Sequence, residues 1–168
     1  MDGYAFVAVG SNLGDSVNTL RQAVQHLTRL SSTPLLCSSL WESTPVDCPP
    51  GSANFVNAVI RMTPHSDETS DSLLQKLQAI EAEFGREPKK VINEPRPLDL
   101  DLIAFGSVQM KSPKLTLPHP RAHLRRFVLE PLAEIAAEAI LPGQLSSTGS
   151  LLSQLRTAEV LRRIGTLE

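Results

Sequence analysis

The sequence predicts an α+β fold built on a mostly antiparallel sheet, and three observations carry that prediction. Short apolar runs rich in β-branched and aromatic residues recur along the chain. Longer segments between them place apolar residues at helical spacing. The elements follow in the order strand, helix, strand, strand, helix, strand, with further helices appended. At 168 residues, 41% hydrophobic and 20% charged, the chain fits one domain, residues 1–168, able to bury a core.

The first strand is YAFVAVG, residues 4–10, and SNLGD after it is a turn. Asp15 or Ser16 then caps a helix whose stripe is Leu20, Ala23, Val24, Leu27 and Leu30. LLCSSLWES, residues 35–43, reads as a second strand. Residues 44–53 hold three prolines and a glycine without a hydrophobic period, which makes them a loop. In the third strand, NFVNAVIRM, Phe55, Asn57 and Val59 share one face. A second helix spans about Asp67 to Phe84 on a stripe of Leu73, Leu74, Leu77, Ile80 and Phe84, and Gly85 stops it.

REPKKVINEPRP is a basic loop interrupted by proline, and RPLDLDLIAFG after it is a strand. A turn at Gly106–Ser107 leads to a weak hairpin partner, and KLTLPHPR is a short extended piece. Phe127 to Ala139 looks helical, and LLSQLRTAEVLRRI, residues 151–164, reads as a last amphipathic helix. This order suggests a ferredoxin-like sheet. Polar Asn57 and Asp99 on interior strand faces suggest a pocket on that sheet.

The net charge of -2 gives no electrostatic case for wrapping a nucleic-acid backbone. The N-terminal MDGYAFVAVG has no basic region, and no apolar stretch approaches the ~20 residues of a membrane span. A cytoplasmic protein is the default. Cys37 and Cys48 lack metal-ligand spacing and read most simply as free thiols, with a disulfide left open.

Asp99 and Asp101 raise the chemical question. Leu98, Leu100 and Leu102 share one strand face; the two acids share the other, with Ile103 and Phe105 continuing it inward. Burying one unpaired charge costs several kcal/mol, roughly. A solvated edge strand would tolerate the pair. So would Mg2+, which typically takes one or two carboxylates and fills its remaining positions with waters and phosphate oxygens. Arg86, Lys89, Lys90 and Arg96 lie just upstream, either as a solvated face or as phosphate ligands.

Other candidates carry similar alternatives. Glu81 is an exposed helical acid or an orienting one. His119, stiffened between two prolines, is structural or presented to a phosphate. Arg121, Arg125 and Arg126 form a second positive cluster, and Phe127 is core or a stacking surface. GSNLG lacks both the lysine of a P-loop and the G-x-G-x-x-G spacing, so neither nucleotide loop applies. Nucleophilic hydrolysis has little support without a Ser/His/Asp or Cys/His set.

VAVGSNLGD, STP, FVNAV, IEAEFGR, PRPLDLDLIAFG and LPHPRAHLRRFVLEPL, in this order and approximate spacing, resemble the 6-hydroxymethyl-7,8-dihydropterin pyrophosphokinase family from about Tyr4 to Ile135. The resemblance implies a ferredoxin-like α/β/α sandwich that transfers pyrophosphate from ATP to the hydroxymethyl group of the dihydropterin. AMP is released, and the reaction serves folate biosynthesis. It implies that Asp99 and Asp101 hold two Mg2+ ions. Arg86, Lys89, Arg96, His119 and Arg125 would contact ATP phosphates or secure a closed loop, with Arg86 and Arg96 catalytic. Glu81 is similar to an acid near the nucleotide. Phe55 and Phe127 would sandwich the pterin ring, and Asn57 with Thr44, Pro45 and Val46 would read its edge.

The loops at 44–53 and 86–97 would close over the substrates. Some members carry a tryptophan near Asn93 and an arginine near Pro88, and this chain has neither. A monomer is expected, with no nucleic-acid or membrane partner. The rival is a ferredoxin-like module that binds RNA or pterin without turnover.

Overall fold

The computed structural model describes residues 3–44, 53–85 and 97–167. In chain order these form β1 (Ala5–Ser11), α1 (Ser16–Arg29), β2 (Leu36–Cys37), β3 (Ser39–Ser43), β4 (Phe55–Met62), α2 (Ser70–Glu83) and β5 (Asp99–Phe105). There follow β6 (Met110–Lys111), β7 (Thr116–Leu117), a short 3-10 turn (Ala122–Leu124), α3 (Arg126–Ala136), α4 (Thr148–Gln154) and β8 (Leu161–Thr166). The main sheet runs β5-β1-β4-β3-β8, with β2 also on β4. Its pairings are antiparallel. The first βαββαβ unit therefore has the strand order of a ferredoxin-like fold, and β8 extends it at one edge.

Local chemistry sets the helix starts. The Asp15 carboxylate accepts the Asn18 N–H at 3.2 Å and caps α1. Thr69 and Ser72 form a reciprocal capping box on α2. Gly85 follows that helix at φ +85°, a conformation that favours glycine.

The two sheet faces carry separate cores. Leu20 and Leu27 of α1 and Leu73 and Leu77 of α2 pack with Val7, Val9, Leu98, Leu100 and Leu102. Val128 and Leu132 of α3 pack on the opposite face with Phe6, Val59, Ile103 and Ala104. Each Val, Leu, Ile or Phe among them contributes roughly 1.5–3 kcal/mol on full burial. The result is the α/β/α layering that the family resemblance implies.

Four expectations are corrected. Residues 151–164 are not one helix: α4 ends at Gln154, and Leu161–Thr166 pairs with β3. The apolar spacing there is helical, but Val160 and Ile164 stay exposed, so a buried helical stripe never forms. Backbone hydrogen bonds to β3 take precedence over that pattern. Next, β6 pairs with β7 in a small separate ribbon rather than with β5.

Finally, Phe105 leaves the acidic face. The register of β1 against β5 slips between Phe6 and Val7, whose partners are Ala104 and Leu102. The extra residue turns Ile103 and Ala104 toward α3 and returns Phe105 to the core beneath α1 and α2. The predicted second strand is also interrupted at Ser38, whose buried hydroxyl accepts the Val59 N–H at 2.9 Å.

Candidate active site

The site lies on the sheet face that carries α3. Asp99 pairs across the ladder with Gly10, and Gly10 pairs with Asn57 on its other side. Asp101 stands opposite Ala8. Directly opposed residues point to the same face, so an acid, a glycine and an amide form one row across β5, β1 and β4. Asn57 is buried at 7% exposure and donates to the Ser43 hydroxyl at 3.2 Å.

Gly10 is required by close approach: a Cβ there would lie 2.7 Å from Asn57 Oδ1. Its neighbours anchor the turn. The Ser11 hydroxyl donates to Ser16 Oγ at 3.1 Å, and Asn12 Nδ2 donates to the Ala53 carbonyl at 3.4 Å. GSN thus shapes the end of β1 beside Asn57, and it does so without forming a phosphate loop.

Glu81 reaches from α2 to the edge strand, where its Oε2 accepts the Leu100 N–H at 2.8 Å. That N–H lies between the two aspartates. On the far side, the His119 N–H donates to the Ile103 carbonyl at 2.8 Å, and Nδ1 accepts the Arg121 N–H at 3.2 Å. The neutral ring therefore carries its proton on Nε2. Burial, followed by the charges of Arg125 and Arg121, holds its pKa below the usual 6.5; Asp99 pulls it the other way.

The guanidinium of Arg125 sits 5.4 Å from the centre of the Phe127 ring. Phe127 packs against the cluster containing Val59, two residues beyond Asn57 on the same strand face. Phe55 is half-buried and opposes Ser43, while Thr44 is exposed at the end of β3. The fold thus gathers Asp99, Asp101, His119, Arg125, Asn57 and Phe127 on one side of the sheet, with Glu81 behind the acidic strand. Pro45, Val46, Arg86, Lys89 and Arg96 lie outside the described residues.

The donor set fits a hard cation. Asp99 and Asp101 are half-buried carboxylates on one rigid strand face, beside residues with little or no side chain. Among the described residues no three His, Cys, Asp or Glu side chains gather into a metal-binding group. Two protein carboxylates with open positions suit Mg2+ shared with phosphate oxygens better than a closed structural site. Among the described residues, too, no helix is long and apolar enough to cross a membrane.

Sequence reasoning missed Gly10 and Ser43. The signal for Gly10 was the GSN segment, which carries meaning only once Asn57 is seen beside it. Ser43 had no signal beyond its place in a strand.

Comparison with known proteins shows the family and the fold. Residues 6–137 match the family described as 7,8-dihydro-6-hydroxymethylpterin-pyrophosphokinase. A 2-amino-4-hydroxy-6-hydroxymethyldihydropteridine pyrophosphokinase of Haemophilus influenzae is 38% identical over 139 residues, which is 82% of this chain and 84% of that one. The protein of the same name from Bacillus subtilis is 37% identical, covering 82% of this chain and 81% of its own. In fold, the chain is similar to the wild-type HPPK-DHPS of Plasmodium falciparum crystallised with pteroate. The TM-score is 0.69 at 13% identity, over 90% of this chain and 44% of that longer one. The match across most of its length, by sequence and by fold, places this chain in the 7,8-dihydro-6-hydroxymethylpterin-pyrophosphokinase family.

Proposed function

We propose that the α3-covered face of the sheet carries out the family reaction, pyrophosphoryl transfer from ATP to the hydroxymethyl oxygen of 6-hydroxymethyl-7,8-dihydropterin, with release of AMP. The observation that carries this reading is the row Asp99–Gly10–Asn57, which sets an acidic end beside a buried amide across one open glycine.

The acidic end is assigned to the triphosphate. Asp99 and Asp101 would hold Mg2+, two ions by family resemblance. Bound metal neutralises phosphate charge and orients the reacting oxygens. His119, neutral with its proton on Nε2, donates to a phosphate oxygen, and Arg125 supplies fixed positive charge beside it. Arg86, Lys89 and Arg96 are assigned to phosphate as well, with Glu81 close to the nucleotide. At the amide end, Asn57 reads the polar edge of the pterin together with the backbone around Thr44, Pro45 and Val46. Phe55 and Phe127 stack on the ring. Ring stacking and edge bonding set the orientation of the hydroxyl, which is where a transfer reaction gains most.

The test is incubation with ATP, Mg2+ and the dihydropterin, separating the nucleotides by chromatography. AMP formed in step with pterin consumption is expected, with no turnover after chelation of the metal. ADP as the sole nucleotide product would overturn pyrophosphoryl transfer. The proposal extends to a cytoplasmic monomer without a nucleic-acid partner; light scattering and RNA titration at physiological salt check the latter two.

A further inference from the structure

The family match ends at residue 137, yet the chain beyond it returns to the start of α3. The two carboxylate oxygens of Glu159 accept the backbone N–H groups of Arg126 and Phe127, each at 3.3 Å. These are the first two N–H groups of α3, which have no carbonyl partner inside the helix. Among the described residues, Arg125 at the N-cap position offers no side-chain hydrogen bond to the helix. The capping carboxylate is therefore borrowed from a segment 32 residues further along.

That carboxylate is itself held in place. The Thr157 hydroxyl donates to Glu159 Oε1 at 3.3 Å and accepts the Glu159 N–H at 3.2 Å. A second strut reaches the other half of α3 by way of Ser39 on β3. Glu134 accepts the Ser39 hydroxyl at 2.5 Å, the Ser39 N–H at 2.9 Å and the Trp41 indole at 3.0 Å. Arg163 of β8 donates to that Ser39 hydroxyl at 2.7 Å.

We infer that Glu159 is a positioning residue for the pterin ring, acting by fixing the first turn of α3 from which Phe127 projects. The inference rests on the proposed function, since it takes Phe127 as a ring-stacking surface. A negative group satisfies the free donors and complements the positive end of the helix dipole. Without it the first turn frays, and Phe127, at its second position, moves with it. Arg125, the N-cap residue, stands on extended backbone outside the helix, and neither N–H group that Glu159 accepts is its own. Loss of Glu159 therefore acts first on Phe127, at the pterin end of the site.

Three variants test this: Glu159→Ala, Glu159→Gln, and Arg162→Ala as a control whose ion pair, 2.8 Å to Glu42, braces β8 against β3 instead of α3. Glu159→Ala is expected to raise KM for the dihydropterin about fivefold, the size of a lost helix cap. KM for ATP should stay unchanged, as should both constants in Arg162→Ala. Glu159→Gln keeps an acceptor oxygen and should fall between wild type and Glu159→Ala. An unchanged pterin KM in Glu159→Ala overturns the inference, and so does an equal rise for both substrates, which would signal a merely structural role. The wild-type assay separates the two levels: no AMP from wild type defeats the proposed function, whereas an active wild type with an indifferent Glu159→Ala defeats only the positioning role.

Discussion

Glu81 and Leu100 are joined by one hydrogen bond, 2.8 Å from the backbone N–H of β5 to the carboxylate on α2, and it pins the peptide between Asp99 and Asp101. Among the described residues β5 is an edge of the sheet, and its outward N–H groups find no strand partner there. Glu81 supplies one from the helix layer. The aim of both aspartates thus depends on an acid that sits behind the strand.

Glu81→Ala is expected to weaken Mg2+ activation by about tenfold or more, the usual cost of removing a group that orients a metal ligand. Glu81→Gln, which still accepts the Leu100 N–H, should recover most of it. Turnover titrated against Mg2+ reads the effect; wild-type metal dependence in Glu81→Ala would rule it out.

On the proposed assignment of the two acids to the metal, Asp99→Asn and Asp101→Asn should each lower kcat roughly a hundredfold or more, since loss of a metal ligand removes several kcal/mol of charge stabilisation. The circular dichroism spectrum should not change, because neither side chain belongs to a hydrophobic cluster. Substantial turnover in both variants would remove the acids from the metal site.

Gly10→Ala would place a methyl group 2.7 Å from Asn57 Oδ1, and Asn57 is held by Ser43. Overpacking of this kind costs about 1–3 kcal/mol of stability. Calorimetry should show weakened pterin binding and nearly unchanged ATP binding. Equal loss of both ligands would argue for general collapse of the site instead of displacement of the amide.

Glu134 gives a pH signature. Burial alone would raise its pKa, but the hydrogen bonds from Ser39 and Trp41 and the charge of Arg163 outweigh it, and the value lies below the usual 4.5. The folded state then binds its proton less readily than the unfolded chain. Its stabilisation is present above about pH 4.5 and is lost as pH falls through the folded value. Thermal unfolding of wild type and Glu134→Gln should differ most near neutrality and converge in acid. A constant difference down to about pH 3 would contradict the assignment.

The elements that read clearly in the sequence are those whose period and burial agree. β1, α1, β4 and α2 each bury the stripe their spacing advertises, and Asp15 caps α1 where its position suggests. The leucine face of β5 was equally plain. β8 was hidden because its hydrogen bonds go to β3, over a hundred residues earlier, while its local spacing is helical. The slip beside Val7 was invisible because a bulge adds one residue without changing composition. Within the site the chemistry-bearing residues, Asp99, Asp101, Asn57 and His119, stood out as polar groups in apolar or stiff surroundings. Gly10, Ser43 and Glu159 act through register and capping, which exist only after folding.

The row from Asp99 through Gly10 to Asn57 also makes the site a gauge of fixed length. Its two ends are two ladder spacings apart, roughly 10 Å, and that distance is set by backbone hydrogen bonds between β5, β1 and β4. Substitutions can retune what either end grips. The reach between them changes only if a strand leaves the sheet.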